Sequence, residues 1–229
     1  MARKPGRPRA GTAPLSREQI LAAALRLIDS EGLDALSMRR LAAELGVDPM
    51  AIYHHLPGKR ALLAGVAELA FGELRLPAED GGPWQEQVRA FARAYRDLVL
   101  AHPNLALHLI RDLDAGGPAL LAANESLYAA LERAGLPPRQ VARAADLIID
   151  YLHGWALAAA PGPERPEAAR GLAALLRRHP PERYPTLARI VASLGEDDRP
   201  GDIEDGLAVL LAGIATLAAG AGDARAELV

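Results

Sequence analysis

Most of the chain consists of segments that favour α-helices, separated by short stretches rich in proline and glycine. Half of the 229 residues are apolar and only 4% are aromatic. Alanine and leucine dominate, whereas the β-branched and aromatic residues that favour strands are sparse. Apolar residues recur at intervals of three and four, the period of an amphipathic helix. We therefore expect an all-α fold with a substantial apolar core.

The composition excludes several classes of protein. The chain has no cysteine, which excludes disulfides, thiol catalysis and cysteine-based metal sites. The motifs HExxH and GxSxG and a strand followed by a glycine-rich phosphate loop are all missing. His108 and Asp112 have helical spacing, but a plain surface pair has the same spacing. We expect no enzymatic activity, no metal and no cofactor.

Neither a membrane protein nor a secreted protein is expected. The basic start of the chain is not followed by the apolar segment of a signal peptide. The most apolar late stretch, residues 207–219, is short and rich in glycine for a bilayer span. A cytoplasmic protein is the expectation.

Charge is distributed unevenly along the chain. Residues 1–76 hold 11 Lys and Arg against 8 Asp and Glu, whereas the overall net charge is −3. Residues 1–14 are predicted to be a flexible arm, because they combine positive charge with proline and glycine. Their GRPR core is similar to minor-groove binders of the AT-hook type, and the alternative is a solubilising tail. The four cations of the arm are Arg3, Lys4, Arg7 and Arg9.

Residues 15–62 carry the pattern of a helix-turn-helix domain. Ser16 is a predicted cap of the first helix. The second helix follows Ser37 and ends at Gly46. A third, short helix covers about residues 49–56 and begins with proline, which is well tolerated at the first helical position. In a helix-turn-helix, this last helix lies in the major groove of DNA.

The stretch SREQILAAALRLIDSEGLDALSMRRLAAELGVDPMAIYHHLPGKRALL resembles the DNA-binding head of the TetR family over about residues 15–63. The resemblance implies a transcriptional regulator that binds operator DNA, by family default a repressor. It also implies that residues 63–229 form a larger helical domain for effector binding and dimerisation. An activator and a sequence-blind architectural DNA binder are the alternatives within DNA-binding proteins.

Three polar residues of the head are candidates for contacts with DNA. The resemblance places Arg39 where it can reach a base edge, and arginine pairs well with guanine. A solvated surface arginine is the alternative. Tyr53 matches a phosphate-contacting tyrosine of the family, a role compatible with partial burial. Lys59 stands at a helix N-terminus, where a cation is unfavourable unless it shares a phosphate with the free N–H groups.

The predicted recognition helix offers four further candidates. Met50 and Ala51 present apolar surface that suits thymine methyl groups. His54 and His55 are adjacent, so their side chains diverge by about 100° and make a poor metal chelate. We expect the two imidazoles to contact the DNA backbone or bases.

Two late helices carry too much apolar surface for an isolated chain. They are predicted at residues 138–159 and 202–220 and are rich in alanine, glycine and leucine. A four-helix bundle made with a second copy would cover them, and an ordinary monomeric core is the alternative. The remaining helices are predicted at residues 59–76, 84–101, 103–113, 118–134, 167–178 and 183–194, with a linker at 76–83.

An unidentified small-molecule effector is expected to bind among the earlier helices of the larger domain, as the resemblance implies. His108 falls near a ligand-contacting histidine of tetracycline repressors, and a core histidine is the alternative. The acidic partner for a drug-bound magnesium is not evident, which argues against tetracycline and favours an apolar or amphipathic compound. The candidate ligand-binding residues are Phe91, Tyr95, His108, Tyr128, Tyr151 and Trp155.

Overall fold

The computed structural model describes residues 14–76, 82–109, 117–159, 168–193 and 203–226. Within these ranges the chain forms eleven α-helices and no strand, which confirms the predicted all-α fold. The basic arm and most of the predicted linker lie outside the described residues. The helices are α1 Arg17–Glu31, α2 Met38–Leu45, α3 Pro49–His55, α4 Lys59–Phe71, α5 Trp84–Ala101, α6 Pro103–Leu109, α7 Gly117–Arg133, α8 Pro138–Ala159, α9 Ala168–Leu176, α10 Pro185–Ser193 and α11 Ile203–Ala226.

Side-chain caps fix where the first three helices begin. Ser16 and Gln19 form the reciprocal capping box at the start of α1. The Ser37 hydroxyl accepts from the N–H of Arg40 at the start of α2. Asp48 accepts from the N–H of Met50 at the start of α3. These bonds between residues close in sequence fix the first turns of α1, α2 and α3.

The head, formed by α1 to α4, shares its apolar core with the rest of the chain. Ile20, Leu41 and Ile52 are fully buried at the centre of this cluster. Leu98 of α5 and Leu105 of α6 belong to the same cluster. The head is therefore continuous with the larger domain, here called the body, because apolar side chains from both parts are buried against one another.

The connecting helix α4 is shorter than predicted. The sequence pattern extended it to residue 76, but the α-helix ends at Phe71. Beyond that point the N–H of Glu73 bonds to Ala70 and that of Leu74 to Phe71, a tighter turn of the kind that closes helices. Gly72 is a poor helix former and begins this turn.

A polar contact also joins α4 to the body. Glu68 of α4 accepts a hydrogen bond from the N–H of Ala119 at 3.0 Å, in the first turn of α7. The N–H groups of a first helical turn have no partner within their own helix, so a carboxylate there satisfies a donor and stabilises the helix dipole.

A second apolar cluster forms the core of the body. It combines buried side chains of α5, α7, α8 and α11. Helix α11 contributes one buried stripe at helical spacing, made of Ile203, Leu207, Leu211 and Ile214.

The late apolar stretch is longer than the sequence suggested. Helix α11 continues to Ala226, and its section Ile203–Gly220 has the length and composition to cross a membrane, with mean hydropathy 1.6 and 22% of it buried. The prediction that this stretch is too short for a span is therefore wrong on length. The buried stripe of α11 nevertheless packs as part of the body core.

Helices α8 and α11 approach closely at one glycine. The Tyr151 hydroxyl of α8 donates to the carbonyl of Ile203 at 2.9 Å. A Cβ atom on Gly206 would lie 2.6 Å from two ring carbons of Tyr151, which is closer than carbon atoms pack. The absence of a side chain at Gly206 is what lets the tyrosine lie across α11.

We predict that Gly206→Ala destabilises the protein by about 1–3 kcal/mol, because it displaces a well-packed aromatic ring. Tyr151→Phe is the matched variant, since it keeps the ring and removes the hydroxyl that donates to Ile203, and it should cost about 1 kcal/mol. Urea denaturation followed by circular dichroism measures both. An alanine variant as stable as the wild type would show that the helices can separate freely at this position.

Candidate functional site

Helix α3 presents most of its surface to solvent. Only Ile52 is buried within it, and Leu56, which follows the helix, is buried beside it. Met50 is 60% exposed, and Tyr53 is also exposed. Ala51 is partly exposed, and His54 and His55 are exposed on the last turn. All five predicted contact residues of α3 thus lie on a helix that is anchored from one side.

The two adjacent arginines of α2 have different surroundings. Arg39 is exposed, as expected for a residue that reaches a ligand outside the head. Arg40 instead forms ion pairs with Glu31 at the end of α1 and Glu44 on its own helix. The hydrogen bonds that Arg40 donates to these two carboxylates raise its pKa. Sequence reasoning did not single out Arg40, although the spacing to Glu44 is that of a helical ion pair.

Lys59 is the first residue of α4 and is exposed. No side chain caps this helix, because the preceding residue is Gly58. The free N–H groups of the first turn and the lysine ammonium therefore lie at the same helix end. Such an end suits a phosphate group.

In the body, two of the predicted ligand-binding residues come together. Tyr95 and Trp155 both pack against a small cluster of buried residues, Val99, Ala106 and Ala156. The ring of His153 lies 5.9 Å from the ring of Tyr95. Burial raises the pKa of the Tyr95 phenol and lowers the pKa of His153. This part of the body therefore offers a neutral phenol, an imidazole and an indole around small apolar side chains.

The other predicted ligand-binding residues whose side chains the structure describes do not pack against this small cluster. Phe91 is buried in the body core. Tyr151 packs on α11 through its hydrogen bond to Ile203. Tyr128 is at the surface of α7, where it is 36% exposed. His108 lies in α6, but its side chain is outside the described structure. His153 was not among the predicted ligand-binding residues, although two positions separate it from Trp155.

Comparison with protein families matches both parts of the chain. Residues 20–66 match the family described as bacterial regulatory proteins, tetR family. Residues 76–218 match the family described as tetracyclin repressor-like, C-terminal domain. The chain belongs to the TetR family.

Relatives in actinobacteria extend this match over most of the chain. An HTH-type transcriptional regulator of Saccharopolyspora erythraea is 33% identical over 207 residues, 89% of this chain and 86% of the relative. Apo ActR of Streptomyces coelicolor aligns with a TM-score of 0.78 and 32% identity, covering 92% of this chain and all of ActR. ActR is also known in complex with actinorhodin, with a TM-score of 0.75, 32% identity and coverage of 89% and 96%.

A further structural neighbour is BioQ in complex with its double-stranded DNA operator. It aligns with a TM-score of 0.61 and 26% identity, covering 88% of this chain and 99% of BioQ. A second structure, that of Mycobacterium smegmatis BioQ, has a similar fold. As a TetR-family protein, the chain is a transcriptional regulator and not an enzyme.

The half-buried imidazole of His153 is expected to make the stability of this TetR-family protein depend on pH. Burial lowers the pKa of His153 from the ordinary value of 6.5, and Asp150 opposes the shift only in part. The unfolded chain therefore binds the proton more readily, so the free energy of unfolding contributed by this site falls as pH drops below about 6.5. Above that pH the contribution is fully present.

We predict that His153→Asn reduces the loss of stability between pH 7 and pH 5 relative to the wild type. Thermal unfolding at several pH values measures the difference. The control is His54→Asn at the exposed α3 surface, which leaves the half-buried imidazole of His153 in place. Equal losses in wild type and His153→Asn would contradict the role assigned to this burial.

Proposed function

We propose that the protein is a repressor that binds a palindromic operator as a homodimer and leaves it when a small molecule binds the body. The observation that supports this most strongly is the exposed face of α3, which carries Met50, Tyr53 and His54 beside the outward Arg39 of α2. A helix held from one side, with its apolar and polar contact groups directed outward, suits insertion into a major groove.

The proposed contacts divide into base reading and phosphate binding. Arg39 reads a base edge, and Met50 and Ala51 contact thymine methyl groups. Tyr53 and Lys59 bind phosphates at the edges of the groove, which fixes the register of the head on the duplex. The histidines 54 and 55 and the arm cations 3, 4, 7 and 9 add backbone or minor-groove contacts.

One head makes few contacts, so tight binding needs two heads on a two-fold axis. We assign the dimer contact to α8 and α11, because their outer surfaces expose large apolar side chains. Leu147 and Leu157 lie on α8, and Val209 and Leu217 lie on α11, with Val209 73% exposed. A second copy would cover this surface and account for the apolar outer side of α11 in a cytoplasmic protein.

The effector is assigned to the region of Tyr95, His153 and Trp155. Aromatic and small apolar side chains with a few neutral polar groups favour an amphipathic aromatic compound. ActR, similar over most of the chain, is known with actinorhodin bound, which supports this class of ligand. Actinorhodin is therefore the first probe for release of the protein from DNA. The effector acts by binding more tightly to a dimer whose heads have the wrong spacing.

The operator test compares the two neighbouring arginines. A duplex is first selected from a random pool with the wild-type protein and checked for a palindrome. Arg39→Ala should weaken binding to it by about 1–3 kcal/mol and relax the base preference at one position of each half-site. Arg40→Ala is the matched control, because Arg40 is occupied by Glu31 and Glu44, and it should keep the base preference.

Gel-shift titrations against the selected duplex and its single-base variants measure both effects. A uniform loss across all sequences would mean that Arg39 touches only phosphate. If the selection yields no preferred sequence and binding is merely salt-sensitive, the protein is a sequence-blind DNA binder and the repressor proposal fails.

The dimer prediction uses two equally exposed apolar residues. Val209→Glu should weaken the dimer at least about tenfold, because a carboxylate would be buried at the contact without a partner. Leu121→Glu on α7 is the control, since Leu121 is 70% exposed and lies outside the proposed contact. Sedimentation equilibrium separates the two. A wild-type protein that remains a monomer, or two variants that behave alike, would overturn the assignment.

A further inference from the structure

A histidine between two carboxylates lies at the junction of head and body. Nδ1 of His102 is 2.9 Å from one carboxylate oxygen of Asp29 and 3.1 Å from the other. On the opposite side of the ring, Nε2 is 3.5 Å from a carboxylate oxygen of Glu73. The His102 side chain is only 12% exposed. The imidazole therefore has an acidic partner at each of its nitrogen atoms.

The three residues come from separate parts of the chain. Asp29 lies in the last turn of α1, Glu73 follows the end of α4, and His102 is the single residue between α5 and α6. Asn104 reinforces the junction, because its amide donates to the carbonyl of Ile28 at 3.1 Å. Among the described residues, Asp29 and Glu73 are the charged groups that reach His102 from α1 and from the α4 side. From α5, the contact is the backbone bond to Leu98.

The chemistry of imidazole makes the two contacts unequal. The neutral ring has one N–H donor and one acceptor, whereas the imidazolium has two donors. The short contact to Asp29 can persist in the neutral form through the Nδ1–H group. The Nε2 atom would then turn its lone pair towards the Glu73 carboxylate, and the attraction would be lost. Only the charged ring holds both carboxylates.

The last turn of α1 contains no basic residue, so a cation near Asp29 interacts favourably with the negative end of this helix. The surroundings of Glu73 leave it room to move away. The side chain of Glu73 is 57% exposed. It also lines an open cleft of about 450 Å³ between the segment after α4 and the outer side of α5. The cleft is also lined by Arg75, Arg93, Arg96 and Asp97. It gives the glutamate room to leave the imidazole.

We propose that His102 is a positioning residue that fastens the segment after α4 to the α5–α6 junction when protonated and releases it when neutral. The hydrogen bond to Asp29 is available to both forms of the ring, and the attachment to Glu73 depends on pH. Because α4 connects the head to the body, this attachment narrows the range of head orientations at low pH. Its effect on operator affinity rests on the proposed function, whereas its effect on head position does not.

Spin-label distances test the head position directly. The chain has no cysteine, so the substitutions Ala43→Cys on α2 and Glu125→Cys on α7 introduce the only two thiols that a spin label can modify. Both positions are exposed. Labelled chains are diluted with unlabelled chains, so that distances within one chain are measured. The distance distribution should be narrow at pH 6 and broader at pH 8. Glu73→Gln should make it broad at both pH values, and the exposed Glu132→Gln should behave as the parent.

A distribution that does not change with pH, or a Glu73→Gln protein that keeps the same response as its parent, would overturn the proposal. His102→Gln supplies a second variant, because its amide can still donate to Asp29 but has no charge to lose. It should also give the broad distribution at both pH values. A narrow, parent-like response from this variant would equally contradict the role of the imidazole.

Operator binding gives the functional readout. Between pH 6 and pH 8, affinity for the selected duplex should fall about two- to fivefold more in the wild type than in Glu73→Gln, the size expected for one partly exposed ion pair. Comparing the two proteins removes the contribution of His54 and His55. Equal falls in both proteins would overturn the link to DNA binding. Failure to select any duplex would instead overturn the proposed function, and the distances would still decide the attachment.

Discussion

The burial of Leu98 and Leu105 in the core of the head is the contact on which the rest of the structure depends. These leucines come from α5 and α6, which also form part of the body. Because a packed core does not deform continuously, a displacement of α6 must be transmitted to α1 or must open a cavity in the head. The hydrogen bond from the N–H of Ala119 in α7 to the carboxylate of Glu68 in α4 adds a polar connection at a second point. The head is therefore positioned by the body.

In the helix-turn-helix, the residues that stabilise the fold are different from those proposed to contact DNA. Helix α3 is held by Ile52, by Leu56 and by its Asp48 cap, so its remaining side chains carry little of the folding energy. The same division distinguishes Arg40, which ties α2 to α1, from the exposed Arg39. If the outer face of α3 reads DNA as proposed, its residues can change without disturbing the buried Ile52 and Leu56 that hold the helix.

Local patterns predicted most of the fold because helix boundaries depend on residues close in sequence. The Ser16 cap of α1 and the proline that begins α3 are examples, and both were foreseen. The early end of α4 was missed, since one glycine and a tightened turn override an apolar pattern. The surroundings of Tyr151 and His102 could not be foreseen, because their partners lie on other helices: Ile203 is 52 positions from Tyr151, and Asp29 is 73 from His102. Sequence periodicity identifies a buried side of a helix but not what it faces.

In the proposed dimer, the contact between the two bodies and the contacts between each body and its head together determine where the heads lie. A contact through α8 and α11 fixes the two bodies relative to each other, and the buried leucines and polar ties fix each head on its body. The separation of the two α3 helices would then be set by the body, at a distance from the DNA. A ligand bound at the proposed site near Tyr95 and Trp155 would lie against Val99 of α5 and Ala106 of α6, the helices that also supply Leu98 and Leu105 to the head. A small change there would reach the head without requiring either domain to unfold, because α5 and α6 each supply one residue to the small cluster beside the proposed ligand site and one to the core of the head.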